Sequence, residues 1–245
     1  MAISSGAAVA GRVHRSSARE AVPWDPPLVR ALGGAFLFVF FASLVAGLLS
    51  PLLFATAPEL LGRLAGDTAS VRAGNLLQVL TSVGIVVLAC LLYDCLGDAN
   101  RTLARVALGW WLAEAAMLAV STLGITMLLA LAGDGNGAAA APASGSLATI
   151  LLALQQGGVT IHMLFFCLGA LGWYGLLWRT GLVPRWLAAW GLAGCALMLA
   201  DTLLMAFDRE LSLGMSMYVL YVPFELVIGT WLLVKGAPAT GTREA

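Results

Sequence analysis

The sequence predicts an all-α, polytopic integral membrane protein with six transmembrane helices and both termini in the cytoplasm (N-in/C-in). Of its 245 residues, 60% are hydrophobic and only 11% are charged, with a mean hydropathy of +0.93. A soluble domain carries about 25% charged residues, so this chain has too little polar surface to cover itself in water. It also contains six apolar runs, each of the roughly 20 residues that a span requires.

Turn-forming or charged residues bound each predicted span. Asp98 and Arg101 follow the second run, Pro184 precedes the fifth, and the Gly- and Ala-rich residues 133–145 form the third loop. Because an open β-sheet cannot span lipid, these runs are predicted to be helices. The predicted spans are Val29–Phe54, Ala73–Leu96, Leu103–Leu131, Leu147–Trp178, Trp186–Phe207 and Met215–Val234.

The spans divide the chain into a flexible cytoplasmic tail (1–26), a six-helix membrane bundle (27–236) and a second flexible tail (237–245). With six spans, ten of the 13 Lys and Arg residues fall on one side; only Arg63, Arg72 and Arg209 fall on the other. The positive-inside rule then puts both termini in the cytoplasm. We expect a multi-pass protein of the cell inner (plasma) membrane, surrounded by lipid. Its balanced charge gives no indication of a nucleic-acid partner.

Three carboxylates and a histidine lie inside the predicted spans: Glu114, Asp201, Glu225 and His162. An ionisable group at the bilayer centre costs roughly 2.5–3.5 kcal/mol on insertion scales. At a rise of about 1.5 Å per residue, Glu114, His162 and Glu225 fall in one layer near the midplane, with Asp201 in the outer half. Because no Lys or Arg lies near the middle of a span, we expect at least one of Glu114 and Glu225 to be protonated at neutral pH.

Other polar and aromatic side chains share helical faces with these four residues. The faces of the second to sixth spans are predicted to converge on one cavity that opens outward. Its expected ligand-binding residues are Asn75, Gln78, Trp110, Gln155, Trp173, Tyr218 and Tyr221.

Two other interpretations of the acids stay open. Each acid could simply hydrogen-bond to backbone across the bundle, which contributes about 0.6 kcal/mol on average. Alternatively, His162, Glu114 and Glu225 form a metal-ligand set. A single His without a short ligand spacing argues against a metal, and no cofactor is expected.

Three stretches of the chain resemble a bacterial six-span family catalogued as domain of unknown function 4386. They are LLYDCLGDANRTLARVALGWWLAEA at 91–115, MLFFCLGALGWYGLLWRTGLVPRWLAAWGLAGCALMLADTL at 163–203 and FELVIGTWLLVKG at 224–236. The resemblance implies the six-span fold over residues 29–236 and no particular activity. Glu114 falls outside the family pattern, and Phe224 stands where the pattern has Gly. The residues that match it are Arg179, Gly181, Pro184, Asp201, Glu225, Trp231, Lys235 and Gly236.

Three functions are compatible with these residues. The first is an intramembrane enzyme acting on a lipophilic, isoprenoid-like molecule, with chemistry like that of membrane terpenoid cyclases. Asp201 or Glu225 would donate a proton, and His162 or Glu114 would orient or reclaim it. The second is a proton-coupled small-molecule transporter, which at this size and without an internal repeat suggests a homodimer. The third is a sensor or accessory subunit without turnover.

Overall fold

The computed structural model describes residues 24–50, 64, 67–133, 142–208 and 216–235. Regular secondary structure in these residues is entirely α-helical, which confirms the predicted fold class. The predicted ends at Phe54 and Met215, and almost all of both tails, lie outside the described residues. The helices are α1 Pro26–Leu49, α2 Thr68–Leu96, α3 Arg101–Gly133, α4 Pro142–Thr180, α5 Arg185–Phe207 and α6 Ser216–Lys235.

Local sequence explains where several of these helices begin and end. The Asp67 side chain caps α2 by accepting a hydrogen bond from the Ser70 N–H at 3.2 Å. The Asn100 side chain accepts one from the Leu103 N–H at 3.0 Å, at the start of α3. Gly181 ends α4 in the left-handed region, with φ of 73°, where a residue without a Cβ has no steric penalty.

Five of the six helices, α1 to α5, are long and apolar enough to cross a membrane, judged by length and composition. Large apolar side chains also face outward, and Phe207 is 88% exposed. A soluble monomer rarely exposes so much apolar surface, whereas lipid accommodates it. The protein is therefore a multi-pass membrane protein. Two points stay predictions: that α6, with 20 residues, also spans the membrane, and that both termini face the cytoplasm.

The six helices form a closed ring. Each helix packs against the next one in the chain, and α6 returns to pack against α1. Most of the buried side chains form one cluster inside this ring, including Leu92 of α2, Trp173 of α4 and Phe224 of α6. A ring of this kind turns one face of every helix toward a common centre.

Glycines allow α1 and α6 to close the ring. A Cβ on Gly33 would overlap the Leu233 backbone nitrogen and lie 2.8 Å from the Gly229 carbonyl oxygen. A Cβ on Gly229 would in turn lie 2.9 Å from Leu37 Cγ. Small residues are enriched where membrane helices approach this closely.

We predict that Gly33→Ala destabilises the protein by about 1–3 kcal/mol, because the added methyl group meets backbone that cannot move aside. Gly34→Ala is the matched control. Gly34 is the next residue of the same helix and has no atom within 4 Å of a built Cβ. Helix propensity favours both substitutions equally. Thermal unfolding in detergent should show a lower melting temperature for Gly33→Ala alone; equal melting temperatures would contradict the close approach.

Candidate functional site

Glu114 and His162 meet at the centre of the ring. Glu114, on α3, is 2% exposed, and the His162 side chain, on α4, is 14% exposed. Glu114 Oε1 lies 3.8 Å from His162 Nδ1, within reach of an ion pair but too long for a hydrogen bond. Glu114 Oε2 and His162 Nδ1 are both buried without a hydrogen-bond partner. Such atoms are costly unless another group satisfies them, so both are available to a proton, a water molecule or a ligand.

Glu225 and Glu114 line the same small cavity. The space open to the centres of water-sized molecules is about 20 Å³. A water needs roughly 10–15 Å³ by the same measure, so the cavity holds about one. Among the described residues the wall has no other carboxyl group, and no Lys or Arg lines it. The lining residues are Phe36, Val39, Ile85, Leu88, Trp111, Glu114, Phe166 and Glu225.

Trp111 takes the place beside Glu114 that the sequence suggested for Trp110. Its indole N–H donates a hydrogen bond to the Phe166 carbonyl at 3.2 Å. Gly169 makes room for the ring, since a Cβ there would overlap Trp111 Cδ1. Trp110 does not line the cavity and packs against Phe165, with ring centroids 5.4 Å apart. Trp111 and Trp110, three and four residues before Glu114, both share its helical face. Spacing alone therefore could not show which of them lines the cavity.

A pair of tyrosines continues from Glu225. Glu225 follows Tyr221 by one turn of α6, and the Tyr221 hydroxyl faces the Glu225 carboxyl group. It also hydrogen-bonds the hydroxyl of Tyr174 on α4, with the two oxygens 2.5 Å apart. Both tyrosines are buried. The sequence predicted Tyr221 as a site residue but not Tyr174. Helical spacing from His162 along α4 leads to Trp173 and not to the next residue, Tyr174.

The other predicted site residues whose side chains the structure describes do not line the cavity. Trp173 is fully buried, 6.2 Å from the Trp111 ring, and its indole N–H has no partner. Asn75 donates to the Thr126 hydroxyl at 3.2 Å, which joins α2 to α3. Gln78 and Gln155 are half-buried and do not line the cavity, and the Tyr218 side chain lies outside the described part of the chain.

Asp201 is half-buried on α5 and does not line the cavity either. The prediction had α2 to α6 converge on one cavity. In the described residues, α1 contributes Phe36 and Val39 instead, and α5 contributes no lining residue. The physical reason is the ring closure: once α6 packs on α1, the face of α1 also turns inward. A functional role for Asp201 stays a prediction.

One part of α4 is packed less tightly than the rest. Between Ala153 and Phe166 no residue is buried, whereas from Cys167 to Leu177 most are. The looser part carries polar side chains, among them Gln155, Thr160 and His162. His162 therefore lies where accessible space meets the buried carboxyl of Glu114.

The described residues contain no group of three or more His, Cys, Asp or Glu side chains that could hold a metal ion. Glu114, His162 and Glu225 thus do not form the three-ligand set that was open from the sequence. The two carboxyl groups of this largely apolar wall, with the His162 imidazole 3.8 Å from one of them, remain suited to binding protons or a single small cation.

These observations define a multi-pass α-helical membrane protein with a carboxyl-lined cavity inside its helix ring. The chain belongs to the family described as Domain of unknown function (DUF4386), whose model matches residues 31–236. This confirms the resemblance seen in the sequence. No curated protein and no solved structure matches the chain.

We predict that Tyr174→Phe destabilises the protein by about 1–3 kcal/mol, because it leaves the buried Tyr221 hydroxyl without its tyrosine partner. Tyr93→Phe is the control, since the Tyr93 hydroxyl forms no hydrogen bond within the described residues; it should change stability by less than about 0.5 kcal/mol. Chemical unfolding in mixed micelles measures both. A Tyr174→Phe protein as stable as Tyr93→Phe would show that the hydroxyl pair contributes nothing.

Proposed function

We propose that the protein is a proton-coupled small-molecule transporter of the plasma membrane, in which Glu114 and Glu225 bind the coupling proton. The observation that carries this proposal is that Glu114 and Glu225 line the same cavity. Two carboxyl groups face one water-sized cavity, and His162 is the only basic side chain in contact with either within the described residues.

Electrostatics gives this pair its capacity to hold a proton. Two carboxylates facing one cavity repel each other, and a wall of Phe, Val, Ile and Leu provides little solvation for either charge. The pair relieves the repulsion by keeping one proton, as carboxyl pairs in other sites do. If the proton leaves, another cation must bind in its place, because otherwise the two carboxylates again repel each other.

Coupling also needs routes by which a proton enters and leaves. The partly exposed imidazole of His162 lies 3.8 Å from Glu114 Oε1 and supports one route, along the loosely packed part of α4. Tyr221 and Tyr174 support a second, because their hydroxyls continue from Glu225. A hydroxyl can accept one proton while donating another, so hydroxyl pairs conduct protons without carrying charge themselves.

The size of the cavity favours binding of a proton or a small cationic group over chemistry on an isoprenoid. Pockets for drug-sized ligands occupy about 300–1,000 Å³, whereas this cavity offers water-sized molecules about 20 Å³. The general-acid reaction on a lipophilic substrate stays a prediction from the sequence alone. Transport by so short a chain favours a homodimer, in which each subunit contributes one ring.

Infrared spectroscopy of the purified protein tests the proposal. At neutral pH we expect a carboxylic-acid C=O stretching band, because one of the two facing carboxyl groups holds a proton. The double variant Glu114→Gln/Glu225→Gln should lose this band, since neither amide can be protonated there. Either single variant should shift it, because the remaining acid has lost its partner.

Asp94→Asn is the control for this experiment. Asp94 is an exposed carboxyl at the end of α2, and its removal should leave the band unchanged. A band that persists in the double variant would refute the assignment of the proton to this pair. Wild-type protein without such a band at neutral pH would refute proton binding at the cavity altogether.

A further inference from the structure

Glu114 Oε2 is a buried acceptor that no described group satisfies. It belongs to a residue that is 2% exposed, and it has no hydrogen-bond partner in the described part of the protein. Glu114 lines the same cavity as Glu225. The site therefore presents two carboxyl groups to a volume that fits one water-sized group. A cation that carries hydrogen-bond donors can interact with both of them.

We infer that the cavity takes the ammonium group of a small primary amine, bound between Glu114 and Glu225 in exchange for the coupling proton. This inference rests on the proposed function and names its substrate class. An alkylammonium group is close to water in size and carries three N–H donors. The exchange balances: one cation enters the pair, one proton leaves it, and the net charge of the site stays constant.

The wall of the cavity distinguishes an ammonium group from a metal ion. Hard cations such as Ca²⁺ and Mg²⁺ require six or more oxygen ligands, whereas only Glu114 and Glu225 contribute oxygen-bearing side chains here. The rest of the wall is apolar and includes the rings of Phe36, Trp111 and Phe166. Aromatic rings attract ammonium groups and tolerate the alkyl carbons attached to them.

The same wall excludes other classes of amine. No Lys or Arg in the described part of the chain lines the cavity, so the carboxylate of an amino acid would find no counter-charge there. Three of the lining residues, Val39, Phe166 and Glu225, are only half-buried. Two of these three side chains are apolar. Next to them the hydrocarbon part of a monoamine is accommodated, whereas a second charged nitrogen would be desolvated.

Methylammonium chloride is the probe, with tetramethylammonium chloride at the same concentration as the control for ionic strength. Calorimetry on the purified protein in detergent should detect saturable, proton-releasing binding of methylammonium. The carboxylic-acid infrared band should disappear at constant pH as it binds. Tetramethylammonium, which is larger and has no N–H donor, should do neither.

Two variants test where the amine binds. Glu114→Gln should weaken methylammonium binding at least tenfold, because it removes one of the two carboxylates. Val39→Phe keeps both acids but adds bulk to the cavity wall, so the proton band should persist while the response to methylammonium is lost. Asp94→Asn should bind as wild type does.

The outcomes separate this inference from the function on which it rests. A wild-type band that titrates with pH but ignores methylammonium would mean a hydrated proton site only, and would overturn the amine assignment. Equal binding by wild type and Glu114→Gln would overturn it as well. A wild-type protein with no carboxylic-acid band would overturn the proposed function itself.

Discussion

The structure depends on how two carboxyl groups are held inside a ring of apolar helices, in which no Lys or Arg among the described residues lines their cavity. Glu114 and Glu225 line one cavity, and the imidazole of His162 reaches only the first of them. Burying a charge away from water is costly unless it is paired, and like charges add to that cost. The two acids share a cavity with room for about one water, and in the function proposed above a proton or a small cation binds there.

The packing around the pair follows from this requirement. Gly33 and Gly229 bring α1 and α6 together, so that Glu225 is carried to the centre of a closed ring. Gly169 admits the Trp111 ring beside Glu114, and the indole N–H is satisfied by the Phe166 carbonyl. Glycine therefore acts at the two places where the ring must close tightly around the acids.

Most of the fold could be predicted from the sequence, because run length, charge placement and turn residues are local properties of the chain. The sequence also put Glu114, His162 and Glu225 at one depth; the structure brings Glu114 within 3.8 Å of His162 and into one cavity with Glu225, while their depth in a membrane stays a prediction. The rotation of each helix about its own axis, and which helices become its neighbours, could not be predicted from the sequence. Whether Trp110 or Trp111 faces Glu114 depends on Gly169 of another helix, and the inward face of α1 depends on its contact with α6. Tyr174 was missed for the same reason: its partner Tyr221 lies on α6, 47 residues away.

The central claim is that Glu114 and Glu225 interact directly across one cavity, which a double-mutant cycle on thermal stability measures. The account predicts that the effects of Glu114→Gln and Glu225→Gln are non-additive, with a coupling of about 0.5–3 kcal/mol. Glu225→Gln combined with Asp94→Asn should be additive within about 0.5 kcal/mol. Additive effects for the Glu114 and Glu225 variants as well would mean that the two acids do not share a site, and would contradict the account.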